Sequence, residues 1–258
     1  MVARALVGAV LSALLATAAR RTRSLSTSGS VAAVVVGTLA VAAGWSWGVL
    51  LIAFFASGSA LSKLGERRKA DLIASIVEKG GERDAVQVLA NGGIFAAAAV
   101  GYFLIPSPIW FAIGAGALAA SAADTWATEI GTLAGGAPIS IVSGKRVPPG
   151  TSGGVTFVGT VAAVAGALFI AVVAALANWP VPFTAITVGG VAGSLADSLL
   201  GGTIQARRWC DLCAESTERL VHRCGTPTRP AGGLAGFDND SVNTVCSAIG
   251  ALVALLLS

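Results

Sequence analysis

Apolar stretches of near-bilayer length recur along this chain, at residues 3–19, 29–43, 46–63, 85–104, 108–130, 154–177, 183–204 and 240–257. The hydrocarbon core of a bilayer takes about 20 apolar residues per helical crossing. The recurrence therefore constrains the fold more tightly than any motif does. Composition agrees with it. Seventeen Lys and Arg with 13 Asp and Glu amount to 12% of 258 residues, while 55% are hydrophobic. Soluble domains carry about 25% charge, so this chain lacks the residues to build a wetted surface. That excludes a soluble globular enzyme, and the apolar content excludes a disordered chain. The expected fold is all-α: a polytopic integral membrane bundle of about eight transmembrane helices, with residues 1–258 forming one domain. Gly189-x-x-x-Gly193 marks close packing of helices through small residues.

The connections are of two kinds, and the two alternate. Those near 44–46, 105–107 and 178–182 are short and uncharged, whereas 20–28, 64–84, 132–153 and 205–238 hold nearly all the charge. Basic loops stay on the cytoplasmic side, so the charged connections are expected in the cytoplasm of an inner-membrane protein, with both termini outside. Arg4 is then the only charge on the outer side. The first apolar run ends in a cleavage-like Ala16-Thr17-Ala18. Arg20, Arg21 and Arg23 follow it and favour an uncleaved anchor. The net charge of +4 fits the same bias and contact with anionic membrane lipids. No basic stripe is interleaved with aromatics, as a nucleic-acid partner would require.

Every acidic residue lies on the charged side or at a helix end facing it. Two are embedded in apolar helix: Asp124 in ASAADTWATEIG and Asp197 in GSLADSLLGGTIQ. Each stands three residues after a serine, Ser121 or Ser194, and just before a hydroxyl residue, Thr125 or Ser198. An intramembrane carboxylate costs about 2.5–3.5 kcal/mol on insertion scales. The pair reads either as metal- or proton-handling groups or as acids neutralised by a buried base or a proton. Glu129 lies a turn deeper, and Ser194, Asp197 and Gly201 share a face that ends near Gln205. The last stretch opens with Asp238, Asn239, Asp240 and Asn243, beyond what a helix cap alone needs.

Gly150, Thr151, Ser152, Gly153 and Gly154 precede the sixth expected helix, with Lys145 and Arg146 upstream. Such a loop at a helix start is either an anion site or a proline-glycine turn with an ordinary cap. It is not a Walker A loop. Arg67 and Lys69 add charge, and Arg83, Gln87 and Asn91 make an i, i+4, i+8 polar stripe entering the fourth apolar stretch. Cys210, Cys213, His222 and Cys224 fall within one charged connection. Their spacing suits structural Zn²⁺, and unligated thiols or a redox pair are the other readings. Cys246 stands alone within an apolar stretch.

In combination and in order, ERDAVQVLANGG, ASAADTWATEIG, PPGTSGGVTFVGT, GSLADSLLGGTIQ, the C-x-x-C and H-x-C loop and FDNDSVN resemble the membrane family typified by the phytyl-phosphate kinase of plant and cyanobacterial tocopherol synthesis. The chain is more distantly similar to CTP-dependent phytol and dolichol kinases. Asp124, Lys145 with Gly150–Thr151, and Asp238–Asn239 stand where those carry an intramembrane Asp, a Lys with a Gly-Thr/Ser loop, and a late Asp-Asn. The resemblance implies transfer of a nucleoside triphosphate's γ-phosphate to an isoprenoid monophosphate. It implies Mg²⁺ held by Asp124 and Asp197 with Asp240 or Glu129, and the triphosphate cradled by Gly150, Thr151, Ser152, Gly153 and Gly154. Arg67, Lys69, Arg83 and Lys145 would neutralise phosphates. Gln87, Asn91, Ser194, Ser198, Gln205, Asn239 and Asn243 would orient groups by hydrogen bonds. It leaves open whether the nucleotide is CTP and which prenyl chain is used. The rival reading is an ion-coupled transporter of a small solute, built on the paired carboxylates.

Overall fold

In the computed structural model, which describes residues 2–73, 76 and 81–258, eight long helices coincide with the eight apolar stretches. They are α1 (Val2–Arg21), α2 (Thr27–Ala43), α3 (Trp45–Lys63), α5 (Ala85–Leu104), α6 (Ile109–Ala134), α7 (Phe157–Leu176), α8 (Phe183–Thr203) and α9 (Asn239–Leu256), with a short α4 (Glu66–Ile73) between. Among the described residues, six of these are long and apolar enough to cross a membrane; α2, with 17 residues, is shorter, and the 26-residue α6 is not among the six. Positions 74, 75 and 77–80 of the charged connection 64–84 lie outside the described residues.

Helix α6 is the axis of the bundle. Every residue from 114 to 123 is buried, and most of them are alanine. It packs on α7, α8, α9, α5 and α3. The outer faces are apolar instead: Leu6, Val10, Val35, Val161, Val188 and Leu252 are all exposed, as suits a hydrocarbon solvent. Glycines bring α6, α8 and α9 to backbone contact. A Cβ at Gly116 would lie 2.3 Å from the carbonyl oxygen of Gly250, and one at Gly189 would lie 2.7 Å from the same atom.

The two ends of the bundle differ. Helices that start at the charged end carry side-chain caps: Ser26 for α2, Asp84 for α5, Thr156 for α7 and Asp238 for α9. Each accepts an otherwise unpaired first-turn N–H. Helices α3, α6 and α8 start at the uncharged end after Gly44, Pro108 and Pro182, with no side-chain cap. There Trp47, Phe95, Tyr102, Phe111 and Trp179 stack with ring centroids 4.7–5.7 Å apart. This aromatic cluster closes the bundle on that side.

The expectation of an all-helical chain holds for the bundle but misses two small sheets at the charged end. Strands β1 (Ile139–Ser140) and β2 (Gly154–Val155) pair antiparallel. Strands β3 (Arg207–Cys210), β4 (Glu215–Thr217) and β5 (Arg229–Gly232) form a sheet in the order β4-β3-β5. The helix expected to start at 154 starts at Phe157, because Gly154 and Val155 are engaged by β1 and Thr156 caps the helix through the Gly159 N–H at 2.9 Å.

Candidate functional site

The charged end encloses a polar chamber of about 1420 Å³. Its wall combines the ends of α3, α6 and α8 with the first turns of α5, α7 and α9. Three helix N-termini thus open onto it, each with the positive end of its dipole directed there. Among the residues expected at a site, Asp124, Glu129, Arg83, Gln87, Asn91, Ser194, Asp197, Ser198, Gln205, Asn239, Asp240 and Asn243 line the chamber. The loop Gly150, Thr151, Ser152, Gly153 and Gly154 and the buried Lys69 do so too. Arg67 and Lys145 do not: both are exposed and lie outside its wall. Lys145 sits in the turn after β1, where its carbonyl accepts from the Ser140 N–H at 2.8 Å.

The carboxyl groups of Asp124 and Asp197 meet across the α6–α8 contact, within hydrogen-bonding reach. Oδ2 of Asp197 is shielded from solvent and has no donor among the described residues. Two acids so placed need a proton or a cation between them. Asp240 is buried at the start of α9 and lines the same chamber. Among the described residues, no three acids bring their ligand atoms into one close set. Ser121, one turn from Asp124, has another task. Its hydroxyl lies 2.8 Å from that of Ser247 on α9 and donates to the Asn91 carbonyl of α5 at 3.0 Å.

Glu129 departs from expectation. Lys69 pairs with it, and Ser62 Oγ donates to its other oxygen. The Lys69 ammonium also donates to the carbonyls of Leu61 at 2.7 Å and Ser62 at 2.9 Å, at the C-terminal end of α3. Its three donors therefore have three acceptors. They commit the ammonium to Glu129 and the end of α3. Arg83 stands beside this pair, donating to Ser59 at 3.4 Å and Ser62 at 3.2 Å. Burial pulls its guanidinium below the ordinary arginine range, and the charge of Glu129 opposes that shift. Its backbone is tied to the α1–α2 turn by Arg83 N–H to Ser24 O at 3.1 Å and Ser26 N–H to Arg83 O at 3.0 Å.

The polar stripe on α5 is present but partly engaged. Oε1 of Gln87 accepts from the Asp84 N–H at 3.1 Å, completing a capping box, and Asn91 Nδ2 donates to the Gln87 carbonyl at 3.1 Å. The glycine loop is engaged as well. The N–H groups of Thr151 and Gly154 close turns onto Pro148 O and Thr151 O, so they are not aimed at an anion. Gly153, at φ 76°, lies against α8, where a Cβ would come within 2.5 Å of Gly202 Cα. Ser152 Oγ donates to Glu218, and Gln205 Nε2 donates to the same oxygen at 2.9 Å.

Glu218 was absent from the expected site, as were Ser59, Ser62, Arg207, Arg208 and Arg219, all of which line the chamber. The GSALSK end of α3 did carry a hydroxyl pattern that pointed to Ser59 and Ser62. The basic residues and Glu218 sit in a charged connection whose three- to four-residue strands have no readable period.

A second cavity, apolar and of about 200 Å³, runs between α1, α2, α3 and α5 past Leu15, Val36, Phe54 and Phe55. Arg83, Gln87, Asn91 and Thr125 line both cavities, so the slot and the chamber meet there.

Cys210, Cys213, His222 and Cys224 converge at the rim, all four ligand atoms within 4.8 Å of one another. A hydroxyl contact from Thr226 and then His222 lower the Cys224 thiol to about 6, whereas its hydrogen bond with Cys224 raises Cys213 to about 11.

Relatives align with most of the chain. Protein PGR of Arabidopsis thaliana is 31% identical over 271 residues, spanning 94% of this chain and 92% of its own. An uncharacterised membrane protein of Methanocaldococcus jannaschii is 32% identical across 79% of this chain and 84% of its own. One of Synechocystis is 32% identical across 68% and 69%. No solved structure matches the chain. Residues 10–251 match the integral membrane protein DUF92 family, and with relatives aligned almost end to end the chain belongs to that family.

Proposed function

We propose that this protein is a prenyl-phosphate kinase, transferring the γ-phosphate of a nucleoside triphosphate to a membrane-embedded isoprenoid monophosphate. The observation that carries this reading is the junction of a polar chamber with an apolar slot at Arg83, Gln87, Asn91 and Thr125. An amphiphile with one long chain and an anionic head fits such a junction. Its chain lies among α1, α2, α3 and α5, and its phosphate emerges beside Arg83. The nucleotide's phosphates enter the chamber from the charged, cytoplasmic side, where three helix N-termini and the arginines of the 205–238 connection offset their charge.

The bond from the γ-phosphorus to its bridging oxygen breaks, and a bond from that phosphorus to an oxygen of the acceptor phosphate forms. The nucleoside diphosphate leaves. The acceptor oxygen is already anionic, so no strong base is needed, and positioning with charge neutralisation carries the catalysis. Asp124 and Asp197 are the residues to hold Mg²⁺. The unpaired, buried Oδ2 of Asp197 beside a second carboxyl group is an acceptor set that fits a small hard cation. When bound, that ion would supply positive charge at the phosphoryl oxygens. Glu129, fixed by Lys69 and Ser62, keeps Arg83 and the hydroxyls of α3 aligned beside it. The carrier reading is less well supported. A solute path would have to breach the buried aromatic cluster around Trp47 at the uncharged end.

The test uses purified protein in vesicles with Mg²⁺, γ-labelled nucleoside triphosphates and a C20 prenyl monophosphate. Labelled prenyl diphosphate is expected. No label transfer with any of the common triphosphates, together with solute flux in the same vesicles, would replace this reading by the carrier.

A further inference from the structure

The connection between α8 and α9 is folded without a hydrophobic core. From residue 206 to 237 the buried side chains are those of Cys210, Thr217, His222 and Thr228, and none is aliphatic or aromatic. A three-stranded sheet this small does not hold itself together by burial. What it does have is three thiols and one imidazole brought to a point. Cys210 and Cys213 come from the end of β3 and the turn after it, and His222 and Cys224 from a second tight turn. That turn is closed by Gly225 N–H to His222 O at 2.8 Å and His222 N–H to Thr226 O at 2.9 Å.

We propose that these four side chains bind one zinc ion, and that the ion is the core of this module. Tetrahedral Zn²⁺ with S ligands at about 2.3 Å and N at about 2.0 Å has S–S edges near ~3.8 Å and S–N edges near ~3.5 Å. Sγ of Cys210 and of Cys224 are 3.7 Å apart, and Nδ1 of His222 is 3.2 Å from the Cys224 sulfur. Nδ1 therefore faces the sulfurs. The other ring nitrogen, Nε2, is buried with no hydrogen-bond partner among the described residues, and Glu215 Oε2 lies 3.6 Å from it. A ligating Nδ1 leaves the proton on Nε2, directed at that carboxylate, which is the usual outer partner of a metal-bound histidine. Four protein ligands leave no open position, so the ion is structural.

The consequence reaches the chamber. Glu218 follows β4 directly and accepts from Ser152 of the glycine loop and Gln205 just after α8, while its N–H donates to Ile76 O at 2.9 Å. The zinc module thus clamps three connections over one opening. This inference does not depend on the reaction proposed above.

The experiment starts with elemental analysis of the full-length protein purified in detergent without chelator, where about one Zn per chain is expected. Cys224→Ser should lose most of it, and Cys246→Ser, buried in α9, should keep it. To separate metal loss from misfolding of Cys224→Ser, the wild-type protein is also treated with a strong chelator and then trypsin. Cleavage after Arg219 and Arg223 should appear at least tenfold faster than in the untreated protein, and added Zn²⁺ should reverse the change. Absence of zinc even after Zn²⁺ addition overturns the site. Zinc release without faster cleavage overturns its role as the module's core.

Discussion

Replacing Lys69 by methionine separates two roles for that residue: phosphate ligand or partner of Glu129. The structure commits the ammonium to Glu129 and to the carbonyls of Leu61 and Ser62. Its side chain is 7% exposed and that of Glu129 is 21% exposed. Removing one partner of a buried pair costs about 3–5 kcal/mol. Glu129 keeps Ser62 and the nearby Arg83 charge and is partly open to the chamber, so the low end, about 3 kcal/mol, applies to Lys69→Met. Glu129→Gln leaves Lys69 its two carbonyls and should cost about 2 kcal/mol. If the two sites were independent, the double variant would lose about 5 kcal/mol; with the pair intact in the wild type it should lose about 3 kcal/mol, a coupling of about 2 kcal/mol. Reversible unfolding in mixed micelles, followed by the fluorescence of the six tryptophans, reads all four proteins. A Lys69→Met protein as stable as wild type, with nucleotide KM alone raised, would refute the pairing and make Lys69 a phosphate ligand.

Asp124→Asn and Asp197→Asn should each lower phosphoryl transfer by about a hundredfold or more while leaving the folded yield intact, since each removes anionic charge from the proposed Mg²⁺ site; retained turnover at any Mg²⁺ concentration in either variant removes that residue from the site. Gly153→Ala must place a Cβ 2.5 Å from Gly202 Cα at a positive φ, so a stability loss of about 2–4 kcal/mol is expected, and an unchanged melting temperature would contradict the loop's docking on α8. Gly92 lines the apolar slot, where an added Cβ meets only Val36 at 3.7 Å. Gly92→Leu should therefore raise KM for a C20 acceptor several-fold and leave that for a short-chain acceptor unchanged; equal effects on both would place the prenyl chain elsewhere.

The bundle was legible because lipid imposes one solution on long apolar runs. The eight helices fall where hydropathy puts them, and the alternation of charged connections places all the polar chemistry at one end. Asp124 and Asp197 were legible for the same reason, as charges where charge is costly. What could not be read was pairing across distance. Lys69 and Glu129 lie 60 residues apart, and no local period links them. The Arg83, Gln87 and Asn91 stripe was visible, but not that a capping box takes Gln87 Oε1. The glycine loop was read as a helix start because glycine and hydroxyl residues commonly precede one. In fact Gly154 belongs to a strand pair and Thr156 is the cap. Ser121 and Ser194 echo each other in sequence, yet Ser121 binds helix to helix.

The contacts of Gly116 and Gly189 with one atom, the carbonyl oxygen of Gly250, give the bundle a common benchmark. Gly116 stands eight residues before Asp124 on α6, and Gly189 stands eight before Asp197 on α8. At 1.5 Å per residue, each carboxylate is levelled about 12 Å along its helix from the same mark on α9. The two acids share a depth because both helices are surveyed from one point. Slippage by a single residue would swing one acid about 100° round its helix and out of reach of the other. The gauge of the acid pair, and with it the fit of the proposed Mg²⁺, is therefore written in small residues of the uncharged half. An ion preference altered by substitution at Gly116, Gly189 or Gly250 would be a change of tool made at the handle rather than at the blade.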